Sequence, residues 1–298
     1  MKSNTKTSYI YAGFAILFWS TVATVFKLTL VGMNNAQLLF YSSFISLIVL
    51  FLLMLRFSRR ELNNFFKWKV IQKNAVLGFI NPFIYYLILF KAYSLLPAHE
   101  AQPLNLIWPI VISIFSVIFL KQKFSIKTIF GLVISFLGIV IIATRGDLFA
   151  FHFHNLFGVL LAVSSAFIWA AYWILNLLDT REESVKLFGA FFYGTIFTGI
   201  YLAIFDSFTG FEINYLIGAV YVGIFEMGIT FYFWLKALSL SNDKAKTSTL
   251  IYLFPVISMF LIYIFLNENI SASAPIGLLL IISGILIQRY DELKFRRG

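Results

Sequence analysis

Glu226 is the only acid in residues 213–237, a long apolar stretch, and helical spacing puts Gly223, Thr230 and Trp234 on its face. An ionisable side chain at bilayer depth costs about 2.5–3.5 kcal/mol on insertion scales, which keeps it from facing lipid. Turned toward a wet interior, a lone carboxylate can exchange a proton or hold a substrate amine. Substrate binding and proton coupling are both expected of Glu226. Asn81, 145 positions earlier, is its counterpart in the first half of the chain; it can hydrogen-bond but cannot ionise.

A second polar set lies in residues 98–120, where Gln102, Asn105, Pro109, Ser113 and Ser116 recur at steps of three and four, one helix face. Its mate in the second half carries Ser248, Tyr252, Pro255, Met259 and Tyr263. A mid-helix proline deletes a backbone hydrogen bond and favours a kink, and freed carbonyls at bilayer depth are useful only where they line a cavity. Pro109 and Pro255 are thus expected to act as hinges beside a central cavity. Asn105, Trp108 and Tyr252 should line it, with Asn81 and Tyr85 at its wall. Trp19 and Trp169 stand 150 positions apart at the midpoints of two further apolar runs. Tryptophan ordinarily prefers the membrane interface, so a mid-depth pair points to an aromatic wall. Tyr172 and Asn176 continue the face of Trp169. Aromatic surfaces with a few amides suit a small amphipathic solute such as an amino acid.

The elements that position these groups must be membrane helices. The chain has 298 residues, 60% hydrophobic and 12% charged, with a mean hydropathy of +0.89, which excludes an ordinary soluble globule. Ten apolar runs approach the roughly 20 residues needed to cross a bilayer. They cover 9–29, 36–55, 72–95, 98–120, 126–144, 156–178, 186–205, 213–237, 246–266 and 274–289. None alternates with period two, so a barrel is excluded. The net charge of +10 is no sign of nucleic-acid binding, because the basic residues crowd into every second connection. Arg56, Arg59, Arg60, Lys67, Lys69 and Lys73 fill one of these, whereas the alternate connections hold only Lys27, Lys91 and Arg145. Such loading places both termini in the cytoplasm.

The chain also repeats itself. Leu89-Phe-Lys-Ala-Tyr-Ser-Leu95 returns as Trp234-Leu-Lys-Ala-Leu-Ser-Leu240, a shift of 145. At a shift of 146, Pro109, Ser125, Gly131 and Gly138 meet Pro255, Ser271, Gly277 and Gly284. Five spans per half is an odd number, which inverts the second copy relative to the first. The expected fold is an all-α polytopic membrane protein, ten transmembrane helices as two inverted five-helix repeats, residues 1–148 and 149–298.

Phe18-Trp-Ser-Thr-Val-Ala23, Phe167-Ile-Trp-Ala-Ala-Tyr-Trp173 and the paired proline–glycine frames resemble the drug/metabolite transporter superfamily, in particular its ten-helix EamA-domain group. The resemblance covers nearly the whole chain. Asn105-Leu-Ile-Trp-Pro109, Lys121-Gln-Lys123 and Phe167–Tyr172 are similar to bacterial aromatic-amino-acid exporters of that group. It implies a secondary transporter, an exporter, in a bacterial cytoplasmic (inner) membrane. Many members carry a glutamate after the fourth and the ninth span; Glu268 fits the second position and Gln122 occupies the first.

Other chemistries are poorly supplied. Zero cysteines exclude disulfides and thiolate metal sites. His152 and His154 lack acidic partners and read as a solvated loop, not a metal site. There is no phosphate-cradling loop and no nucleophile–base pair, so neither enzymatic activity nor a cofactor is expected. A sugar-phosphate or nucleotide-sugar carrier would call for buried Lys or Arg at mid-depth, and a non-transporting scaffold or sensor would need no polar faces. The expected partners are a small-molecule substrate and the lipid bilayer, with monomer and homodimer both open.

Overall fold

The computed structural model describes residues 5–57, 65–120, 126–147, 155–241, 247 and 250–295. Gln122, Lys121, Lys123, Ser125, His152, His154 and Ser248, together with Arg59 and Arg60, lie outside them. Among the described residues all regular structure is helical. The first half holds α1 (Thr5–Thr29), α2 (Asn35–Phe57), α3 (Trp68–Gly78), α4 (Tyr85–Leu95), α5 (Ala98–Asn105), α6 (Trp108–Leu120) and α7 (Ile126–Ala143). The second holds α8 (Leu156–Leu178), α9 (Glu183–Phe205), α10 (Asn214–Tyr221), α11 (Ile229–Leu240), α12 (Leu253–Leu266) and α13 (Ser273–Phe295).

Among the described residues six stretches are long and apolar enough to cross a membrane: Lys6–Thr29, Asn35–Arg56, Trp68–Leu95, Leu156–Asn176, Ser184–Phe205 and Asn214–Trp234. Ile129–Ala143, Leu250–Leu266 and Ser273–Ile287 are shorter apolar helices. Large apolar side chains cover the outside, with Phe136, Ile204 and Phe260 each more than 60% exposed. A surface of that kind needs lipid around it. The protein is a multi-pass membrane protein.

Helix pairing recurs across the two halves. α7 lies along α13 and α2 along α9, while α1 packs on α11 and α12 as α8 packs on α4 and α6. At the α7–α13 contact a side chain on Gly138 would strike the carbonyl of Gly277, and one on Gly284 the carbonyl of Gly131. Numbers rise along one helix as they fall along the other, so the pair is antiparallel. Its close approach depends on glycine.

Several expected spans are interrupted. Between α3 and α4 the chain forms a π turn, Phe79–Ile84, in which Asn81 is extended (φ −144°, ψ 121°) and the Asn81–Pro82 peptide is cis. Pro82 cannot donate to the helix ladder, which accounts for the break. Between α10 and α11 a second π turn, Val222–Glu226, is followed by Gly228 at φ −109°, ψ −97°. No proline is present there; Ser46 of α2 donates a hydrogen bond to the freed carbonyl of Met227 (2.9 Å), and Thr230 to that of Phe225. Asn81 and Glu226 therefore both sit in helix breaks.

The prolines differ from expectation too. Pro109 is the second residue of α6, after a turn at Leu106–Ile107, and Pro255 is the third of α12, after a 3-10 turn at Leu250–Tyr252. Neither kinks a continuous helix. Each begins one, because a residue without an N–H is best tolerated in the first turn, where that donor would lack an intrahelical partner.

Candidate functional site

Five of the six tryptophans gather at one place. Trp19 of α1, Trp108 of α6, Trp169 and Trp173 of α8 and Trp234 of α11 line a central cavity of about 100 Å³, while Trp68 is 71% exposed at the start of α3. More than half of the wall is aromatic, Phe and Tyr included. The rings hold each other. Tyr85 stacks on Trp169 with centroids 4.6 Å apart, and Trp19 meets Trp234 edge-on at 5.8 Å and Phe231 at 5.9 Å. Contacts of this kind add about 0.5–1.5 kcal/mol each beyond burial and fix ring orientation. The wall is preorganised.

Three polar side chains interrupt it: Gln102, Asn105 and Glu226. The π turn carries Glu226 to the cavity, where its Oε1 accepts a hydrogen bond from the buried Tyr86 hydroxyl at 3.1 Å. Its other oxygen, Oε2, has no hydrogen-bond partner in the protein. Asn105, last residue of α5, donates to the Ser165 hydroxyl at 2.8 Å and stands 3.5 Å from the Tyr85 hydroxyl, which cross-links α4, α5 and α8. The indole Nε1 of Trp173 is a further buried donor that no protein atom accepts.

Of the residues expected at the site, the structure brings Trp19, Tyr85, Asn105, Trp108, Trp169 and Glu226 to this one wall. The other four are elsewhere. Asn81 is buried in the first π turn with both amide atoms unpartnered. Tyr172 lies behind Trp169, stacked at 5.7 Å, because it is three residues further round the helix. Asn176 is a turn beyond, where its carbonyl accepts from Lys186. Tyr252 is buried in the 3-10 turn, and its neighbours Ile251 and Phe254 reach the cavity instead. Tyr263, on the same predicted face as Tyr252, is 60% exposed. Trp173 and Trp234 were legible as the next turns of the Trp169 and Glu226 faces; Tyr86, next to Tyr85, gave no signal in sequence.

Two polar clusters clasp the ends of the bundle. At the Lys27 end, Glu268 accepts from the Ala98 backbone N–H at 3.0 Å and lies 2.6 Å from His99 Nδ1. Asn267, in the left-handed region at φ 49°, ends α12 and turns Glu268 back toward α5. Beside them Arg145 donates to Glu100 at 2.7 Å, and Lys27 to the carbonyls of Tyr93 and Leu96 at the end of α4. These groups surround a vestibule of about 400 Å³. Burial pushes the Glu268 carboxyl upward, but the hydrogen bonds and charge of His99, with the Ala98 N–H, outweigh it and hold the acid below its ordinary range. At the opposite end Arg181 grips Asp179 (2.6 Å) and reaches Asn74 of α3 (2.8 Å). Burial raises Asp179 as well, and Arg181 and Lys73 more than reverse it.

The family profile of the EamA-like transporter family matches twice, over residues 6–144 and 156–289. The chain belongs to this family. It is a transporter of the EamA group of the drug/metabolite transporter superfamily. Relatives include the uncharacterized transporter YvbV of Bacillus subtilis (strain 168), 25% identical over 226 residues, 74% of this chain and 71% of that one. An uncharacterized transporter of Archaeoglobus fulgidus is 25% identical over 225 residues, 74% and 78% of the two chains. One from Acidianus ambivalens is 27% identical over 212 residues, 68% and 79%. A solved structure described as "Crystal structure of protein" superposes with a TM-score of 0.66 at 21% identity, covering 97% of this chain and 99% of that one, a likeness of fold.

Proposed function

We propose that this EamA-family transporter is a secondary exporter of small amphipathic metabolites such as amino acids, working by alternating access around the Glu226 cavity. The observation that carries the reading is that α1, α4–α6, α8, α11 and α12, elements of both halves, contribute to one aromatic cavity that holds, among the described residues, a single carboxylate. Substrates bind against the tryptophan wall and Asn105, and Glu226 takes either the substrate amine or a coupling proton.

The halves, residues 1–148 and 149–298, form inverted five-helix repeats, ten spans in all, with α5–α6 together as the fourth span. The α7–α13 contact supports this. The 146-residue shift turns the Gly138–Gly277 contact into Gly284–Gly131, so each contact is the image of the other. An antiparallel self-matching pair fits a two-fold axis perpendicular to both helices, hence in the membrane plane. With the basic loops inside, both termini are cytoplasmic and the Lys27 end faces out; the resemblance to bacterial exporters implies a bacterial inner membrane. The sugar-phosphate alternative finds no support, since the described wall carries no Lys or Arg.

The test is Glu226→Gln in reconstituted vesicles, with flux measured across a pH series and thermal stability in parallel. The amide keeps size and the bond from Tyr86 but cannot ionise. Coupling predicts loss of the pH dependence of flux; amine binding predicts loss of affinity. Flux, affinity and pH profile all equal to the parent protein's would reduce Glu226 to a structural residue.

A further inference from the structure

The charge inventory of the central cavity is one-sided. Although the chain carries a net charge of +10, the described wall has one acid and no Lys, Arg or His. Lys27 lines the vestibule instead, and its ammonium is already held by two backbone carbonyls. A substrate carboxylate could otherwise turn to a helix N-terminus, and both α6 and α12 begin at the wall, through Trp108 and Phe254. Proline removes one donor from each. Pro109 and Pro255 have no N–H, and the amides of Ile110 and Val111 are already bonded to the Ile107 carbonyl. The donors of the wall, Trp173 Nε1 and the Gln102 amide among them, are neutral: they can hold a carbonyl or hydroxyl but cannot neutralise an anion.

For a cation the inventory is favourable. Glu226 Oε2 is a buried acceptor in a cavity lined by five tryptophans, the aromatic side chain that best receives a cation. We propose that the cavity selects aromatic organic cations whose carboxylate is absent or masked, such as arylalkyl primary amines and amino-acid esters, over free zwitterionic amino acids. Glu226 Oε2 holds the ammonium, and the Trp169–Tyr85 stack takes the ring. This rests on the carrier reading above and narrows it: the amine is the recognised group, and a free carboxylate is a penalty. A carboxylate moved from water to this wall gives up its hydration and gains at most neutral donors.

Four probes that share one ring separate the alternatives: phenethylamine, phenylalanine methyl ester, phenylalanine and phenylacetate. Binding to the purified full-length protein is read by intrinsic tryptophan fluorescence, for which five wall tryptophans provide the reporter, and flux is read in proteoliposomes. The amine and the ester are expected to bind at least tenfold tighter than phenylalanine, with phenylacetate weakest. In Glu226→Gln that preference should fall to within a few-fold. Phenylalanine binding and moving as well as phenethylamine would overturn the cation assignment and leave the carrier reading standing. A preference for the amine that survives intact in folded Glu226→Gln would overturn the role of Glu226 Oε2. Binding or flux of none of the four would overturn both readings.

Discussion

Replacing Glu268 by glutamine tests what holds the polar cluster at the Lys27 end of the bundle together. The side chains of His99 and Glu268 are only 5% and 16% exposed and approach to 2.6 Å, so their interaction is poorly screened. Glutamine still offers an oxygen to the Ala98 N–H, and what is lost is charge. Hydrogen bonds to charged groups contribute about 1.5–3 kcal/mol against about 0.5–1.5 for neutral ones. The expected destabilisation is therefore about 1–2 kcal/mol, read as a lower thermal midpoint in detergent. A double-mutant cycle with His99→Ala should return a coupling of about 1 kcal/mol. The pH dependence has a fixed sign. Glu268 is held below its ordinary value, so its contribution is complete above the unfolded carboxylate pKa of about 4.3 and disappears as pH falls through the lower folded value. The stability gap between parent and Glu268→Gln should close in strong acid, as pH falls below the ordinary carboxylate range. Two strictly additive single effects, or a gap that persists undiminished at low pH, would refute the reasoning.

Because the natural chain has no cysteine, Val22→Cys on the cavity wall is a clean reporter of access. Adding Glu268→Gln should raise its labelling by a membrane-impermeant thiol reagent applied from outside several-fold; unchanged labelling would separate the clasp from gating. Gly138→Leu should cost about 3 kcal/mol or more, since the backbone of Gly277 cannot yield. Gly13→Leu, on a helix face with nothing within 4 Å, is the matched control and should leave thermal stability nearly unchanged. Equal loss in both variants would refute the role given to the α7–α13 approach, since replacing glycine by leucine raises helix propensity at either site.

Hydrophobic run length made the helices legible, because lipid demands an internally bonded backbone wherever the chain is apolar. The breaks were less legible. Pro82 marks the first, but the second rests on Gly223, Gly228 and the bond from Ser46, and a serine 181 residues away is invisible to local pattern. Pro109 and Pro255 were expected to kink continuous helices and instead lie in first turns, since periodicity sees a proline but not which side of a break it falls on. At the site, the mid-depth tryptophans and Glu226 were readable because each is costly in lipid. Tyr172 and Asn176 were assigned by extending a helix face too far: three and seven residues beyond Trp169 the helix has turned into the packed bundle. The clasp escaped because its members, His99, Glu100, Arg145 and Glu268, are spread over loops and helix ends of both halves and meet only in three dimensions.

The asymmetry between the two helix breaks bears on mechanism. At the 145-residue shift Asn81 falls on Glu226, and each lies in a π turn. Asn81 is walled off, whereas Glu226 opens on the cavity. Under the proposed mechanism a ligand can shift the balance between two states only through a free-energy difference in its contact with each. The break at Glu226 supplies a contact that can differ, because the carboxylate is attached to the segment whose carbonyl Ser46 holds. Occupying Oε2 with an ammonium or a proton changes the charge on the hinge itself. The Asn81 break offers no such handle, having no charge to neutralise. Coupling would then run through one break, with the other as a passive pivot. Glu226→Gln should consequently slow exchange between the two access states even where substrate still binds, and Asn81→Ala should leave the response to substrate intact. Labelling of the Val22→Cys reporter with and without phenethylamine measures both, and a substrate response lost in Asn81→Ala but kept in Glu226→Gln would reverse the assignment.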